Sequence, residues 1–128
     1  MIDAYFSNLE NAIKNSPIVI RYDMQRFLSI PSEGYVKMKI IFIDLSSLEF
    51  SEYVVKRQNK AIEVIKFRYN YMDSNKKLIF RYDNAPHHKK AATFLEHKHD
   101  DMNNIIASQR PCLDEILIEI SSIIVRSF

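Results

Sequence analysis

The clearest alternation in the chain is Ile65-Lys66-Phe67-Arg68-Tyr69-Asn70-Tyr71-Met72, in which apolar or aromatic residues take every second position. Successive side chains of a β-strand point to opposite faces, so this pattern predicts a half-buried strand. Asp73-Ser74-Asn75 then supplies turn residues, and Leu78, Phe80 and Tyr82 resume the alternation. The two segments are therefore predicted to pair as a hairpin.

The outward positions of this hairpin carry a cluster of basic side chains. They are Lys66, Arg68, Lys77 and Arg81, with Asp83 turned to the same side. A local concentration of Lys and Arg favours contact with phosphate groups, whereas a formal net charge of +2 is too modest to indicate it. The competing interpretation is that these charges simply keep an open sheet face solvated.

Segments on either side of the hairpin complete an α+β pattern. Apolar residues recur at spacings of three and four over residues 3–14 and 111–127, which predicts an amphipathic helix at each end. β-Branched and aromatic residues predict three earlier strands, at residues 18–28, 35–44 and 48–56. We therefore expect an α+β fold, an antiparallel β-sheet meander of about five strands flanked by an N-terminal and a C-terminal helix. Both helices would pack on one face of the sheet and leave the other face open.

The composition excludes several classes of protein. The chain has 128 residues, a usual length for one domain, and residues 1–128 are expected to form a single domain. Hydrophobic residues at 47% can offset the entropy of ordering, which excludes a disordered protein. The apolar runs are too short to cross a bilayer, and no secretory leader is expected. The single cysteine, Cys112, cannot form an internal disulfide, which favours a cytoplasmic location with no membrane partner.

The histidines of the chain are concentrated in one segment. All four fall between residues 87 and 99, and they are His87, His88, His97 and His99. Residues 84–100 show no helical period and are predicted to form a long loop, with room for a short strand near residues 94–99. Imidazole titrates near neutral pH, with an ordinary pKa of about 6.5, and is the commonest metal ligand. We therefore expect the chemistry of the protein in this segment.

The end of the hairpin and the histidine segment together resemble a known family. The sequence reads Leu78-Ile79-Phe80-Arg81-Tyr82-Asp83-Asn84-Ala85-Pro86-His87-His88, followed by Thr93-Phe94 and His97-Lys98-His99. This signature is similar to that of the TumE-like toxins of type II toxin–antitoxin modules. Outside residues 78–99 the chain agrees with that family only in its general plan. Leu95 and Glu96 depart from the signature, because Pro and His are expected there, so a third histidine of the second cluster is absent.

The resemblance implies a small cytoplasmic toxin that stops growth by acting on RNA. It also implies a cognate antitoxin as partner, encoded beside the toxin and carrying a helix-turn-helix DNA-binding domain. We expect this antitoxin to cover the open face or the apolar rim of the sheet, placing its acidic side chains over Arg81 and the histidine segment.

Histidines beside fixed positive charge suit RNA cleavage without a metal, and no cofactor is expected in that scheme. A base must deprotonate the 2′-OH, an acid must protonate the 5′ leaving oxygen, and cations must stabilise the transition state. Asp83 or Asn84 would fix an imidazole tautomer by accepting its second N–H, and Lys98 would add charge stabilisation beside Arg81. The candidate catalytic residues are Arg81, Asp83, His87, His88, His97 and His99. The candidates for holding RNA are Lys66, Arg68, Asn84 and Lys98.

Three other interpretations of the same residues stay open. His97 and His99, at positions i and i+2, would point to one side of an extended segment and could bind a divalent metal ion as the alternative cofactor. The acidic residues that could complete its shell are Asp83, Glu96, Asp100 and Asp101. The histidine segment could equally be a solvated loop. The basic face could also hold RNA or an acidic partner without cleaving it, in which case the histidines would have no chemical role.

Overall fold

The computed structural model describes residues 1–29, 32–85, 96–102 and 104–127. Within them the elements are α1 (Ile2–Lys14), β1 (Val19–Ser29), β2 (Glu33–Phe42), β3 (Ser47–Lys56), β4 (Ile62–Met72), β5 (Leu78–Asp83), β6 (His97–Asp100), β7 (Ile105–Ala107) and α2 (Leu113–Arg126). All seven strands lie in one sheet in chain order, and each pairs antiparallel with the next. The predicted α+β class with a helix at each end is confirmed, and the sheet has seven strands rather than about five.

The two additional strands are β6 and β7. β6 pairs with β5 from Asp83 opposite His97 to Phe80 opposite Asp100, and β7 pairs with β6 in turn. The prediction of a loop is therefore corrected over residues 97–100, where β6 overlaps the short strand for which the sequence left room near residues 94–99. β6 is polar throughout and β7 has only three residues, so neither shows the apolar alternation by which strands are recognised.

Both helices pack on the same face of the sheet and share one hydrophobic core with it. In β2 the residues that face the helices, Val36, Met38, Ile40 and Phe42, are fully buried, whereas the positions between them are mostly exposed. The opposite face of the sheet, which carries neither helix, is called the open face below. Among the described residues, neither helix is both long and apolar enough to span a membrane.

A β-bulge alters the alternation read from residues 65–72. The pairing between β3 and β4 shifts between Val64 and Lys66, so Ile65 is an extra residue in β4. Ile65 is exposed, and Val64 instead packs against the core. The prediction that Ile65 lines the core is wrong, because an inserted residue reverses the phase of a strand on one side of the bulge.

Candidate active site

Asp83, the last residue of β5, lies beside the two histidines of β6 on the open face. The pairing places Arg81 opposite His99 and Asp83 opposite His97. Directly opposed residues of an antiparallel pair point to the same face, so these four side chains lie together. They are called the Asp83 cluster. The predicted orientation of His97 and His99 toward one side is confirmed, because both lie in an extended strand.

The Asp83 carboxylate is at the centre of this cluster. His97 Nε2 lies 2.6 Å from Asp83 Oδ1, and His99 Nε2 lies 3.4 Å from Asp83 Oδ2. Arg81 Nε donates a hydrogen bond of 3.1 Å to Asp83 Oδ2. The two imidazole rings meet edge to face with their centroids 4.9 Å apart. One carboxylate therefore contacts two imidazoles and a guanidinium at once.

Burial sets the electrostatics of the cluster. Asp83 and His99 are each 3% exposed and His97 is 2% exposed, so the sequence-based expectation that Asp83 faces solvent is not met. Strand β6 pairs with β5 and places His97 directly opposite Asp83. Burial lowers the pKa of His99, the positive charge of Arg81 lowers it further, and the Asp83 carboxylate opposes both effects. His99 therefore favours the neutral form, which can accept a proton or bind a metal.

Two of the predicted RNA-holding residues lie beside the cluster. Arg68 is the direct β4 partner of Asp83, and Lys66 lies two residues before it on the same face. Both side chains line an open concavity of about 250 Å³ that Arg81 and Asp83 also line. The structure thus brings these cations to the mouth of the Asp83 cluster.

The other two predicted RNA-holding residues are engaged elsewhere. Lys98 points to the helix-bearing face, where its Nζ donates a 2.7 Å hydrogen bond to Glu119 Oε2 of α2. Its position between His97 and His99 in β6 requires this, because alternate residues of a strand face opposite ways. Asn84 joins β5 to the backbone of β4, donating 2.9 Å to Ile65 O and accepting 3.1 Å from Phe67 N. Lys98 and Asn84 are therefore bonded to other groups and not to the imidazoles of the Asp83 cluster.

Three further predictions concern positions around the site. Lys77 is exposed and precedes β5, so it is not part of the strand register that carries Arg81. Tyr82 is buried and its hydroxyl donates 2.8 Å to Glu119 Oε1, which confirms it as a core residue. His87 and His88 lie outside the described residues.

A second buried polar group, not anticipated from the sequence, lies on the helix-bearing face. Glu52 of β3 is 1% exposed and accepts hydrogen bonds from the hydroxyls of Tyr5, at 2.6 Å, and Tyr69. Arg110 Nη1 lies 3.5 Å from Glu52 Oε2 and donates 3.3 Å to the Tyr69 hydroxyl. These four residues are called the Glu52 network. The burial of Glu52 could have been anticipated, because it continues the alternation of Leu48 and Phe50, which are the buried positions of β3.

The Glu52 network connects elements that are far apart in the chain. Tyr5 lies in α1, Tyr69 in β4 and Arg110 shortly before α2. Burial raises the pKa of Glu52, although its hydrogen bonds and Arg110 act in the opposite direction. Burial and the nearby carboxylate raise the pKa of both tyrosines. The network joins α1 and the segment before α2 to the sheet, and burial opposes ionisation of its carboxyl and hydroxyl groups.

Comparison with known proteins identifies one similarity. The family model described as Toxin TumE matches residues 9–124, which include the whole Asp83 cluster, most of α2 and the C-terminal part of α1. No curated protein and no solved structure gives a significant match. The similarity thus extends well beyond the histidine segment and over nearly the whole chain.

Proposed function

Since this chain belongs to the TumE toxin family, and is thereby a toxin of a toxin–antitoxin system, we propose that it stops growth by cutting RNA at the Asp83 cluster. The observation that carries the proposal is the convergence of His97, His99 and Arg81 on one buried carboxylate. Proton carriers beside a fixed cation are the groups that cleavage of a phosphodiester requires.

The contacts suggest a role for each side chain. A neutral His99 takes the proton from the 2′-OH, whose oxygen then forms a bond to phosphorus. The bond from phosphorus to the 5′ oxygen breaks, and protonated His97 gives its proton to that oxygen. The products are a 2′,3′-cyclic phosphate and a free 5′-hydroxyl. Asp83 orients both imidazoles, and Arg81 stabilises the charge on the phosphorane-like transition state.

The surrounding cations support this scheme. Arg68 and Lys66 line the concavity that ends at Arg81 and Asp83, so a phosphate bound there would meet positive charge before it reached the imidazoles. Electrostatic stabilisation in a site shielded from water is commonly the largest single contribution to catalysis. The burial of the Asp83 cluster is consistent with such an environment.

A second candidate, supported by the same geometry, is a metal-dependent nuclease. Asp83, His97 and His99 each offer one ligand atom, and these atoms lie within 4.8 Å of one another. Two imidazoles and a carboxylate suit Zn²⁺, Mn²⁺ or Ni²⁺ and leave coordination positions for substrate or water. A bound ion would polarise the phosphate and activate a water molecule.

Treatment with EDTA should distinguish the two schemes. In the acid–base scheme the purified protein continues to cut single-stranded RNA after exhaustive dialysis against EDTA, and its fragments end in 2′,3′-cyclic phosphate. Cleavage that is lost in EDTA and restored by Mn²⁺ or Zn²⁺ would establish the metal scheme instead. RNA that binds in a salt-dependent manner but stays intact under every condition would contradict both schemes and indicate a non-catalytic binding protein.

We also propose that a cognate antitoxin, with a helix-turn-helix DNA-binding domain, neutralises the toxin by covering the open face. Arg68 and Lys66 are exposed there beside Arg81, and acidic side chains of the antitoxin would pair with them. The product of the adjacent reading frame should therefore co-purify with this chain in the cytoplasmic fraction and slow RNA cleavage. Its affinity should fall as salt is added. A complex whose affinity does not change with salt would argue against docking by charge.

A further inference from the structure

One row of cross-strand partners crosses the open face and ends in the Asp83 cluster. Lys37 of β2 lies opposite Ser51 of β3, Ser51 opposite Arg68 of β4, Arg68 opposite Asp83, and Asp83 opposite His97. Opposed residues share a face, so all five side chains point away from the helices. Neighbouring strands are about 4.8 Å apart, and the row from Lys37 to His97 is therefore about 19 Å long.

The surface along this row is concave. Three shallow concavities, of about 230, 230 and 250 Å³, lie side by side on the open face. The first and second share Lys37 and Glu49 in their walls, and the second and third share Arg68. The third ends against Arg81 and Asp83. Because neighbouring concavities share lining residues, the three together are called the open-face groove, which extends across the strands to the Asp83 cluster.

The walls of the groove are mainly cationic. The cations that line it are Lys37, Lys39, Lys66, Arg68 and Arg81. The acids that line it are Asp23, Glu49 and the buried Asp83. The excess of positive charge is complementary to a phosphodiester backbone.

An aromatic side chain forms part of the groove wall beside these cations. Tyr35 lines the middle concavity and is 38% exposed, and its ring lies 6.1 Å from that of Phe27, its partner on β1. An exposed ring beside a row of cations is the combination by which proteins hold unpaired bases and their phosphates together. The bases of a duplex are stacked on one another and do not offer a free face to such a ring.

We propose that the open-face groove is the binding site for single-stranded RNA that extends away from the cleaved bond. The strand lies across the sheet, with phosphates on Lys37 and Arg68, a base stacked on Tyr35, and the scissile phosphate at the Asp83 cluster. This inference rests on the proposed function, and it assigns to Lys37 and Tyr35 a role that the histidine signature does not contain.

Fluorescence anisotropy with a labelled single-stranded RNA tests the proposal, using an Asp83→Asn background so that the probe is not cut. Lys37→Ala and Arg68→Ala should each weaken binding several-fold and reduce the slope of log K against log salt by about 0.7. Tyr35→Ala should weaken binding by about 5-fold or more, and Tyr35→Phe should not, because phenylalanine still stacks. The matched controls Lys14→Ala and Arg126→Ala alter exposed charges on the helices and should bind as the Asp83→Asn parent does.

Three results would overturn the groove proposal. The groove variants could bind RNA as tightly as the controls do, or the protein could bind the annealed duplex as tightly as the single strand. The groove variants could also lose affinity for the antitoxin alone. Cleavage assays on the same substitutions with Asp83 restored separate this inference from the proposed function. RNA that is bound through the groove but never cut supports the groove and overturns the proposed function. RNA that is cut normally by the groove variants supports the proposed function and overturns the groove.

Discussion

Asp83→Asn should lower the rate of RNA cleavage by about 100- to 10,000-fold and abolish growth arrest on induction in cells. Asparagine has nearly the same shape as aspartate and still accepts the hydrogen bond from Arg81 Nε, so the fold should persist. It lacks the negative charge that lies 2.6 Å from His97 and 3.4 Å from His99. The two imidazoles would therefore lose the group that fixes their orientation and tautomers. Cleavage of a labelled RNA and plating after induced expression measure the two effects.

A matched control keeps this result interpretable. Asp114→Asn makes the same chemical change at an exposed position in the first turn of α2, and it should leave cleavage and growth arrest intact. Melting curves of both variants would show that each is folded. Should Asp83→Asn unfold, His99→Gln provides a second test, because it removes the proton acceptor and leaves Asp83 bonded to Arg81. A folded variant of either kind that cuts RNA at the parent rate would show that the reaction occurs elsewhere.

Glu52→Ala should destabilise the protein by about 3 kcal/mol or more, because it leaves the Tyr69 hydroxyl in the core without its acceptor and creates a cavity. A loss of that size lowers Tm by roughly 10 °C for a domain of this length. The effect should be seen in thermal and urea denaturation of the whole chain. A variant with the Tm of the parent protein would mean that the Glu52 network contributes nothing to stability.

Glu52→Gln tests the electrostatic part of this interpretation. The pKa of Glu52 is raised above its ordinary value of 4.5 by burial, so the folded chain binds its proton more readily than the unfolded chain. The stability that this proton gives is fully present below pH 4.5 and is lost as pH rises through the raised pKa. Glutamine does not ionise, so the Tm of Glu52→Gln should rise relative to the parent protein between acid and neutral pH. A difference in Tm that is constant with pH would contradict the raised pKa.

Much of the fold could be predicted because its strands alternate. In β4 the buried positions hold Phe67, Tyr69 and Tyr71, and the opposite positions hold Arg68 and Asn70. The alternation in the sequence therefore showed which of these residues face the core. The bulge at Ile65 was not readable, because the sequence of one strand does not contain the register of its partner. β6 was anticipated only as a short strand within a long loop, for a different reason. Its buried positions on the open face hold His97 and His99, and a pattern based on hydrophobic residues takes buried histidines for a polar loop.

The residues of the candidate site could be named from the sequence, but their spatial arrangement could not. The signature marked Asp83, His97 and His99 together, and the structure places them in contact. Lys98 lies among them in the sequence, yet it is turned away by the alternation of the strand that it belongs to. The face of the sheet to which Lys98 points could be assigned only once residues 97–100 were known to form a strand. Lys37, in contrast, is far from the signature in sequence, and only the pairing of four strands, β2 to β5, aligns it with Asp83.

Arg68 and Tyr69 are neighbours in β4, and they serve opposite sides of the molecule. Arg68 lies beside Asp83 on the open face, whereas Tyr69 is bound to Glu52 beneath the helices. The residues that stabilise the fold and those proposed to carry the activity are therefore separated by the thickness of one sheet, and changes to one set should combine nearly independently with changes to the other. Such a protein can change its target preference, or lose and regain affinity for an inhibitor, without a loss of folding stability. If the antitoxin docks on the open face as proposed, substitutions there can change its binding while the helix-bearing face continues to stabilise the fold.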